Sequence, residues 1–358
     1  MIKPIEYEVE TIYEIDSYGG VHFTNLISDE FVKMGYELKD IVEVSFLDNT
    51  ILLPIVNDFN YLDMGKSGLT LHNIDSVYVK LIAFGDIFAV KYGIVEPNPD
   101  GPTHWKVKEG VTFPIKFTIK MHEKQGYANE YKIFDLNRTN NREDYASMSD
   151  EDFANFREVR SSKMKPGILY RGSSPIDPKL QRDKITDDAL RTVGVKTIIN
   201  FVNKEEKAVE FPHYFETYYS KQNILFIPAP VYFFGEKYQD VLRKTIRFML
   251  AHEGPYFFHC WEGKDRTGFI CALLLCLVGA ARNEIIADYM ASYTNFFQFE
   301  KGSETYMHIA LRIYHLIKRA FDIDEVSDVD LSKKAYDYFV KIGLSEEEVT
   351  RLRDLLKR

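Results

Sequence analysis

Cysteine, tryptophan and long apolar runs are what this sequence has least of. It holds three Cys and two Trp in 358 residues. An odd set confined to Cys260, Cys271 and Cys276 argues against a disulfide framework, and unpaired thiols fit a reducing compartment. The longest apolar run, Phe269 to Ala280, is 12 residues. That is too short to span a bilayer and reads as a buried helix. Met1-Ile2-Lys3-Pro4-Ile5-Glu6 lacks the basic-then-apolar pattern of a signal peptide. The expectation is a cytoplasmic protein without a transmembrane segment, leaderless secretion remaining open. Positive charge is also in deficit, with 45 bases against 54 acids and a net charge of −9. This argues against a general nucleic-acid binder, though not against a local basic pocket. No repeat or low-complexity tract stands out. The nine His are scattered, and no metal-binding cluster is expected. No pattern specifies an oligomeric state.

What is present is an ordinary globular balance, 45% hydrophobic and 28% charged, rich in Phe and Tyr. The length allows two domains. Residues 1–125 read as a smaller, β-rich accessory domain, an antiparallel barrel or sandwich. Ile41–Phe46 alternates, turns at Asp48-Asn49 and resumes at Ile51–Val56, a hairpin pattern. Val77–Ile82 and Ile87–Val90 flank Gly85-Asp86 in the same way, and Phe113–Met121 offers a further strand. Pro97–Pro102 is a turn-rich loop. Residues 126–149 read as a linker, and 150–358 as an α/β domain with a central, mostly parallel sheet flanked by helices.

In that second domain Ser149 opens a short helix carrying Asn155 to Arg160. Thr186 caps a helix ending at Gly194, and Val195–Phe201 is a buried strand. Ile224–Pro228 is another strand. A loop from Ala229 leads into a helix over Tyr238–Ala251, and helices are expected over Glu284–Tyr293, Met307–Phe321 and from Ser345 onward.

The chemistry concentrates in His259-Cys260-Trp261-Glu262-Gly263-Lys264-Asp265-Arg266-Thr267-Gly268. Apolar residues precede it and the long apolar run follows, which predicts strand, tight loop, helix. A helix N-terminus presents unpartnered N–H groups and a partial positive charge, a ready site for phosphate. Arg266 adds a planar fork for two phosphate oxygens. The same field favours thiolate at Cys260, a nucleophile facing a bound phosphate ester. Thr267 can donate to that sulfur, and Gly263 and Gly268 permit close backbone approach or positive φ. Cys271 and Cys276 read as core packing, with a resolving thiol as the sharper alternative.

This stretch resembles the phosphate-binding loop of the cysteine-dependent protein tyrosine phosphatases, and its Lys-Asp-Arg run is most similar to a bacterial branch with tyrosine, dual and phosphoinositide phosphatase activity. Asn155-Phe156-Arg157, Leu169-Tyr170-Arg171-Gly172-Ser173, Thr197-Ile198-Ile199-Asn200 and Asp288-Tyr289-Met290-Ala291-Ser292 extend the resemblance over 150–300. The branch more often has Asp at Asn200 and Arg at Asn203. About residues 10–95 are weakly similar to the C-terminal barrel of S-adenosylmethionine-cleaving hydroxide/halide adenosyltransferases, through Asp16–Gly19, Thr24–Ile27, Asp48-Asn49 and Phe84–Ala89. That similarity implies a fold and no activity.

The phosphatase resemblance implies hydrolysis of phosphomonoesters through a phosphocysteine on Cys260, with no cofactor. Substrates would be phosphotyrosine or dual-specificity proteins; phosphoinositides or inositol polyphosphates, and a silent phosphate-binding adaptor, are the alternatives. Asp265 is the first choice for general acid or for orienting Arg266, with Glu236 and Asp240 behind it, because the usual Trp-Pro-Asp is absent. His259 would orient the loop. Trp261, Glu262, Gly263, Lys264 and Gly268 would bind substrate, and Lys264 would favour multiply phosphorylated or acidic ones. Arg157 and Arg171 either support the loop or contact a second phosphate, or form an ordinary ion pair.

Overall fold

The computed structural model describes residues 2–9, 21–71, 77–98, 105–134, 136, 138–230 and 233–358, with backbone alone at 21–25. Asp16–Gly19, and Pro99 to Pro102 of the turn-rich loop, lie outside the described residues. The chain divides into two compact units, Met1–Leu136 and Asn137–Arg358. Residues 126–149 are therefore not a free linker: a helix at Ala128–Ile133 belongs to the first unit, and a 3-10 turn at Arg142–Tyr145 to the second.

In the first unit the elements run β1 (Ile5–Val9), β2 (Val21–Ile27), α1 (Ser28–Lys33), β3 (Ile41–Phe46), β4 (Asn49–Val56), β5 (Ser67–Thr70), β6 (Tyr78–Ala83), α2 (Phe88–Lys91), β7 (Val95–Pro97), β8 (Trp105–Val107), β9 (Ile115–Glu123) and α3 (Ala128–Ile133). Seven strands form one sheet in the order β1-β9-β3-β4-β5-β6-β2, and β7 pairs with β8. Its pairs are antiparallel except β4–β5. All seven strands send side chains into one core, so the sheet curls round it in a barrel-like way. The β3–β4 hairpin follows the alternating pattern, Val42, Val44 and Phe46 facing inward.

The second expected hairpin does not form. Residues 88–91 are helical, which places Phe88 and Tyr92 one turn apart, and both rings meet Phe46 at 5.8 and 5.9 Å. Aromatic packing on a helix overrides the β-branched local pattern. Asp40 ties this unit together. Its fully buried carboxylate accepts from Glu37 N at 2.8 Å, Gln125 N at 3.0 Å and Lys124 Nζ at 3.0 Å.

The second unit contains α4 (Asp150–Phe153), β10 (Arg157–Glu158), β11 (Leu169–Gly172), α5 (Asp183–Val193), β12 (Thr197–Asn200), α6 (Glu205–Ala208), β13 (Asn223–Phe226), α7 (Glu236–Ala251), β14 (Tyr256–His259), α8 (Asp265–Val278), α9 (Arg282–Phe297), α10 (Glu304–Phe321), α11 (Leu331–Lys341) and α12 (Glu346–Leu356). The sheet order is β10-β11-β14-β12-β13, parallel except at β10–β11. β14 is the middle strand and α8 follows it. Every residue of α8 from Thr267 to Val278 is buried, as its unbroken apolar sequence requires. Ser345 caps α12 through a capping box with Glu348.

Two local expectations are corrected. The helix opened by Ser149 stops at Phe153. Asn155 takes a left-handed φ of 54°, and Arg157-Glu158 is strand. Arg182, not Thr186, is the N-cap of α5; Thr186 lies inside the helix, its hydroxyl donating back to Arg182 O at 2.9 Å. α11 had no counterpart in the sequence reading. Among the described residues, no helix is long and apolar enough to cross a membrane.

Lys124 is exposed and can turn to water, but removing the Asp40 carboxylate leaves the amides of Glu37 and Gln125 without their acceptor. Asp40→Ala is therefore expected to destabilise the first unit by about 2–3 kcal/mol. Urea unfolding checks this, and a loss below about 1 kcal/mol, the range of exposed ion pairs, would contradict the anchoring role.

Candidate active site

In open α/β sheets ligands bind beyond the carboxyl ends of the parallel strands. Here the chain leaves the middle strand β14 at His259, turns through Cys260 to Lys264, and enters α8 at Asp265. Cys260 is buried. The peptide carbonyls of this turn each have a donor. His259 Nδ1 lies 3.0 Å from Cys260 O, and Ser174 N donates to Trp261 O at 2.9 Å. Asn155 Nδ2 donates to Glu262 O at 2.8 Å. Arg171 Nη2 donates to Gly263 O at 2.7 Å and to Lys264 O at 3.1 Å. A trans peptide points its C=O and N–H in opposite directions. Carbonyls held outward leave the amides turned to the inner side of the loop. Among the described residues, no protein acceptor takes the N–H groups from Trp261 to Arg266.

Arg266 completes the cradle. Its Nη1 donates to Phe201 O at 3.1 Å and Ala229 O at 3.3 Å, just past β12 and β13. One corner of the fork is pinned and the rest is left to face a ligand. Gly263 has φ of 69°, and a Cβ there would stand 2.0 Å from Gly172 O. A Cβ on Gly268 would meet Arg171 Nη2 at 2.9 Å. Both glycines are thus fixed by close approach.

Arg171 is fully buried and paired with Asp288 of α9. Burial disfavours its charge, but Asp288 outweighs that and the guanidinium stays protonated. Arg157 donates to Asp288 O at 2.7 Å, Ser292 Oγ at 2.9 Å and Asn155 Oδ1 at 2.6 Å. Burial, then the Arg171 charge, pushes it down to about 10, still cationic at neutral pH. Arg171 therefore holds the loop from behind, and Arg157 braces Asn155, Asp288 and Ser292 beside it.

His259 is fully buried, and burial pushes its pKa down to about 3. The neutral ring must carry its proton on Nδ1, because Cys260 O can only accept. Nε2 then accepts from Tyr219 OH at 3.4 Å, and Tyr219 OH accepts from Asn200 Nδ2 at 3.1 Å. Asn200 Oδ1 takes Val202 N and Asn203 N at 2.8 and 3.0 Å. Asn200 thus caps its own turn and steadies His259.

Lys264 is paired within the loop. Its Nζ lies 3.1 Å from Glu262 Oε2 and 3.6 Å from Asp265 Oδ2, boxed by the rings of Tyr293 and Phe297. Glu262 also pairs with Arg138. Burial pushes the Glu262 carboxyl up, but Lys264 and Arg138 prevail and hold it at about 2. Asp265 Oδ1 accepts from Tyr293 OH at 2.9 Å, and Tyr289 OH lies 3.2 Å from Tyr293 OH. Asp265 makes no ion pair with Arg266. The Thr267 hydroxyl is buried and has no partner among the described residues, so donation to Cys260 is not seen. The Trp261 ring lies beneath Lys179 Nζ, 4.4 Å away.

Glu236 pairs with Arg243 at 2.6 Å, and Asp240 with Lys244 at 2.6 Å on the surface of α7. The Lys244 hydrogen bond draws the Asp240 pKa down. Cys271 and Cys276 are buried, and burial pushes the Cys271 thiol up to about 12. Both sit in the core rather than as ready thiolates. Asn155, Tyr219, Asp288, Ser292 and Tyr293 also surround the loop, although no local spacing in the sequence links them to it. No group of three His, Cys, Asp or Glu side chains among the described residues is arranged to hold a metal.

Residues 151–358 match the model of the tyrosine phosphatase family. The chain belongs to that family. It is 36% identical over 97 residues to the triple specificity protein phosphatase PtpB of Mycobacterium tuberculosis, covering 27% of this chain and 31% of that protein. A Cupriavidus necator protein provisionally named a tyrosine-protein phosphatase is 27% identical over 169 residues, 39% of this chain and 58% of its own length. The chain thus spans less than two thirds of these relatives. The structure of P. aeruginosa TpbA in complex with pTyr is 16% identical, covering 46% of this chain and 94% of that one, with a TM-score of 0.29, too low to carry an argument.

A neutral buried His259 gives a pH signature. The unfolded ring protonates below about 6.5, the folded ring only near 3. Its contribution to stability is complete above pH 6.5 and falls by up to about 1.4 kcal/mol per pH unit below it. His259→Gln is expected to flatten the decline between about pH 6.5 and 4.5, above the range in which carboxylates such as Glu262 contribute. Urea unfolding at stepped pH measures this; parallel curves would overturn the assignment.

Proposed function

We propose that this chain hydrolyses phosphotyrosine esters by way of a phosphocysteine. The observation that carries the reading is the loop from Cys260 to Arg266, whose carbonyls are all held outward behind a single cysteine and a half-pinned arginine. Phosphoryl transfer asks mainly for positioning and charge stabilisation. The loop amides and the open edge of Arg266 would hold the three non-bridging oxygens, with Cys260 Sγ beneath phosphorus.

In the first step the Cys260 thiolate forms the S–P bond and the P–O bond to the leaving group breaks. The leaving oxygen takes a proton from Asp265, whose half-exposed side chain is aimed by Tyr293. In the second step water attacks phosphorus, Asp265 receives its proton, and the S–P bond breaks to restore the thiolate. His259, neutral and fixed by Tyr219, holds the Cys260 carbonyl out of the way. Because the Lys264 ammonium is turned to Glu262 and Asp265, the loop offers the ligand one free guanidinium rather than two cations. That favours a monophosphate over a polyphosphorylated ring.

Cys260→Ser is expected to abolish phosphate release from phosphotyrosine peptides, with chelator present throughout. Hydrolysis that persists in that variant refutes the mechanism. Asp265→Asn is expected to lower kcat about 100-fold on alkyl phosphates, whose leaving oxygen needs the proton, and far less on p-nitrophenyl phosphate. Equal losses on both esters would remove Asp265 from proton transfer.

A further inference from the structure

The cations around the loop can be taken one by one. Arg157 and Arg171 are ion-paired with Asp288. Arg138 and Lys264 share Glu262. Arg182 is buried, donates to Phe153 O, and lies over the rings of Phe153 at 3.9 Å and Phe296 at 4.4 Å. Arg266 serves the phosphate. Lys179 differs from all of these. It is exposed, and among the described residues it forms no ion pair with a carboxylate. Asp177 is its nearest acidic neighbour in sequence, and Asp177 Oδ1 accepts Lys179 N at 3.0 Å to cap the turn.

Lys179 is also held in place. It sits in the 3-10 turn Pro178–Leu180. Asp177 N donates to Ser174 Oγ at 3.3 Å, and Ser174 N donates to Trp261 O. Ser173 Oγ donates to Glu262 O at 3.4 Å. The segment bearing Lys179 is thus bonded to two peptide units of the phosphate loop. Its ammonium rests 4.4 Å from the centre of the Trp261 ring, the residue next to Cys260. A cation over an aromatic face is steadied without being neutralised.

We propose that Lys179 forms a substrate subsite beside the loop, taking the carboxylate of an acidic residue that flanks phosphotyrosine. This rests on the reading that the Cys260 loop hydrolyses phosphotyrosine. A single ammonium matches one carboxylate. A second phosphate carries nearly two charges, and Arg138 and Lys264, which could help to balance it, are both directed at Glu262. The positive charge expected of Lys264 is therefore supplied from outside the loop, by a residue that does not belong to the Cys-x5-Arg stretch.

The test compares the full chain with Lys179→Ala and Lys179→Glu on two phosphotyrosine peptides that differ only in acidic or amide flanks. The readout is the ratio of kcat/KM between the two peptides, with p-nitrophenyl phosphate as reference and soluble phosphoinositides as a third arm. The wild type is expected to favour the acidic peptide about threefold to fivefold, the scale of an exposed ion pair. Added salt should shrink that preference. Lys179→Ala should bring the ratio near one, and Lys179→Glu should reverse it. An unchanged ratio in Lys179→Ala overturns the subsite, as does an equal loss on both peptides. A phosphoinositide preference that disappears with Lys179 overturns the peptide assignment. A wild type inactive on p-nitrophenyl phosphate and both peptides overturns the hydrolase reading beneath it.

Discussion

The fully buried guanidinium of Arg171 is the interaction on which the site depends. Two carbonyls of the loop, those of Gly263 and Lys264, accept from the same Nη2. They fix the orientation of two successive peptide planes at the point where the chain must turn from strand into helix. A buried charge of this kind is tolerable only with a partner, and Asp288 supplies it. Gly263 and Gly268 then have no room for a side chain, because Gly172 and Arg171 occupy the space. The loop's shape is thus dictated from behind, by β11 and α9, more than by its own residues.

α9 acts as the frame of that arrangement. Asp288 pairs with both arginines, and Ser292, one turn later, accepts from Arg157 and Asn155. Tyr293 reaches Asp265, and its ring together with that of Phe297 boxes Lys264. Asp288 and Ser292 lie four positions apart, as do Tyr293 and Phe297, so one helix reaches the loop's backbone through Arg171 and Asn155 and touches Asp265 and Lys264 directly. Small shifts of α9 would move all three together.

The loop itself was legible in sequence because its signals are local: a cysteine, an arginine five residues on, glycines where close approach demands them, and an apolar helix after it. Strand β14, helix α8 and the β3–β4 hairpin could be read for the same reason. What could not be read depends on partners far along the chain. Arg171 and Asp288 lie 117 positions apart, and no spacing rule connects them. The stretch 87–90 has strand-like residues but becomes helix because Phe88 and Tyr92 must both reach Phe46. Thr186 has capping chemistry but sits inside α5, since the chain turns at Arg182, a buried cation that stacks on aromatic rings. Asn155 looked like a helical residue and proved to be the left-handed turn that aims its amide at Glu262.

Lys264 shows most clearly where residue type and position part company. A lysine inside a phosphate loop reads as extra positive charge for the ligand, yet charge acts through where its head group lies and what faces it. Lys264 spends its ammonium on Glu262 and Asp265, and Glu262 remains ionised down to about pH 2 because Lys264 and Arg138 both attend it. The Lys264 ammonium is thus directed at carboxylates of its own loop rather than at the loop mouth. In the proposed reaction the attraction for a phosphate would be left to the aligned amides and Arg266, which are directional and act at contact. Discrimination among substrates must then come from groups beyond the loop. A cradle built mainly of backbone would recognise the phosphate that every substrate of the proposed reaction shares, and selectivity would fall to side chains that meet the parts they do not.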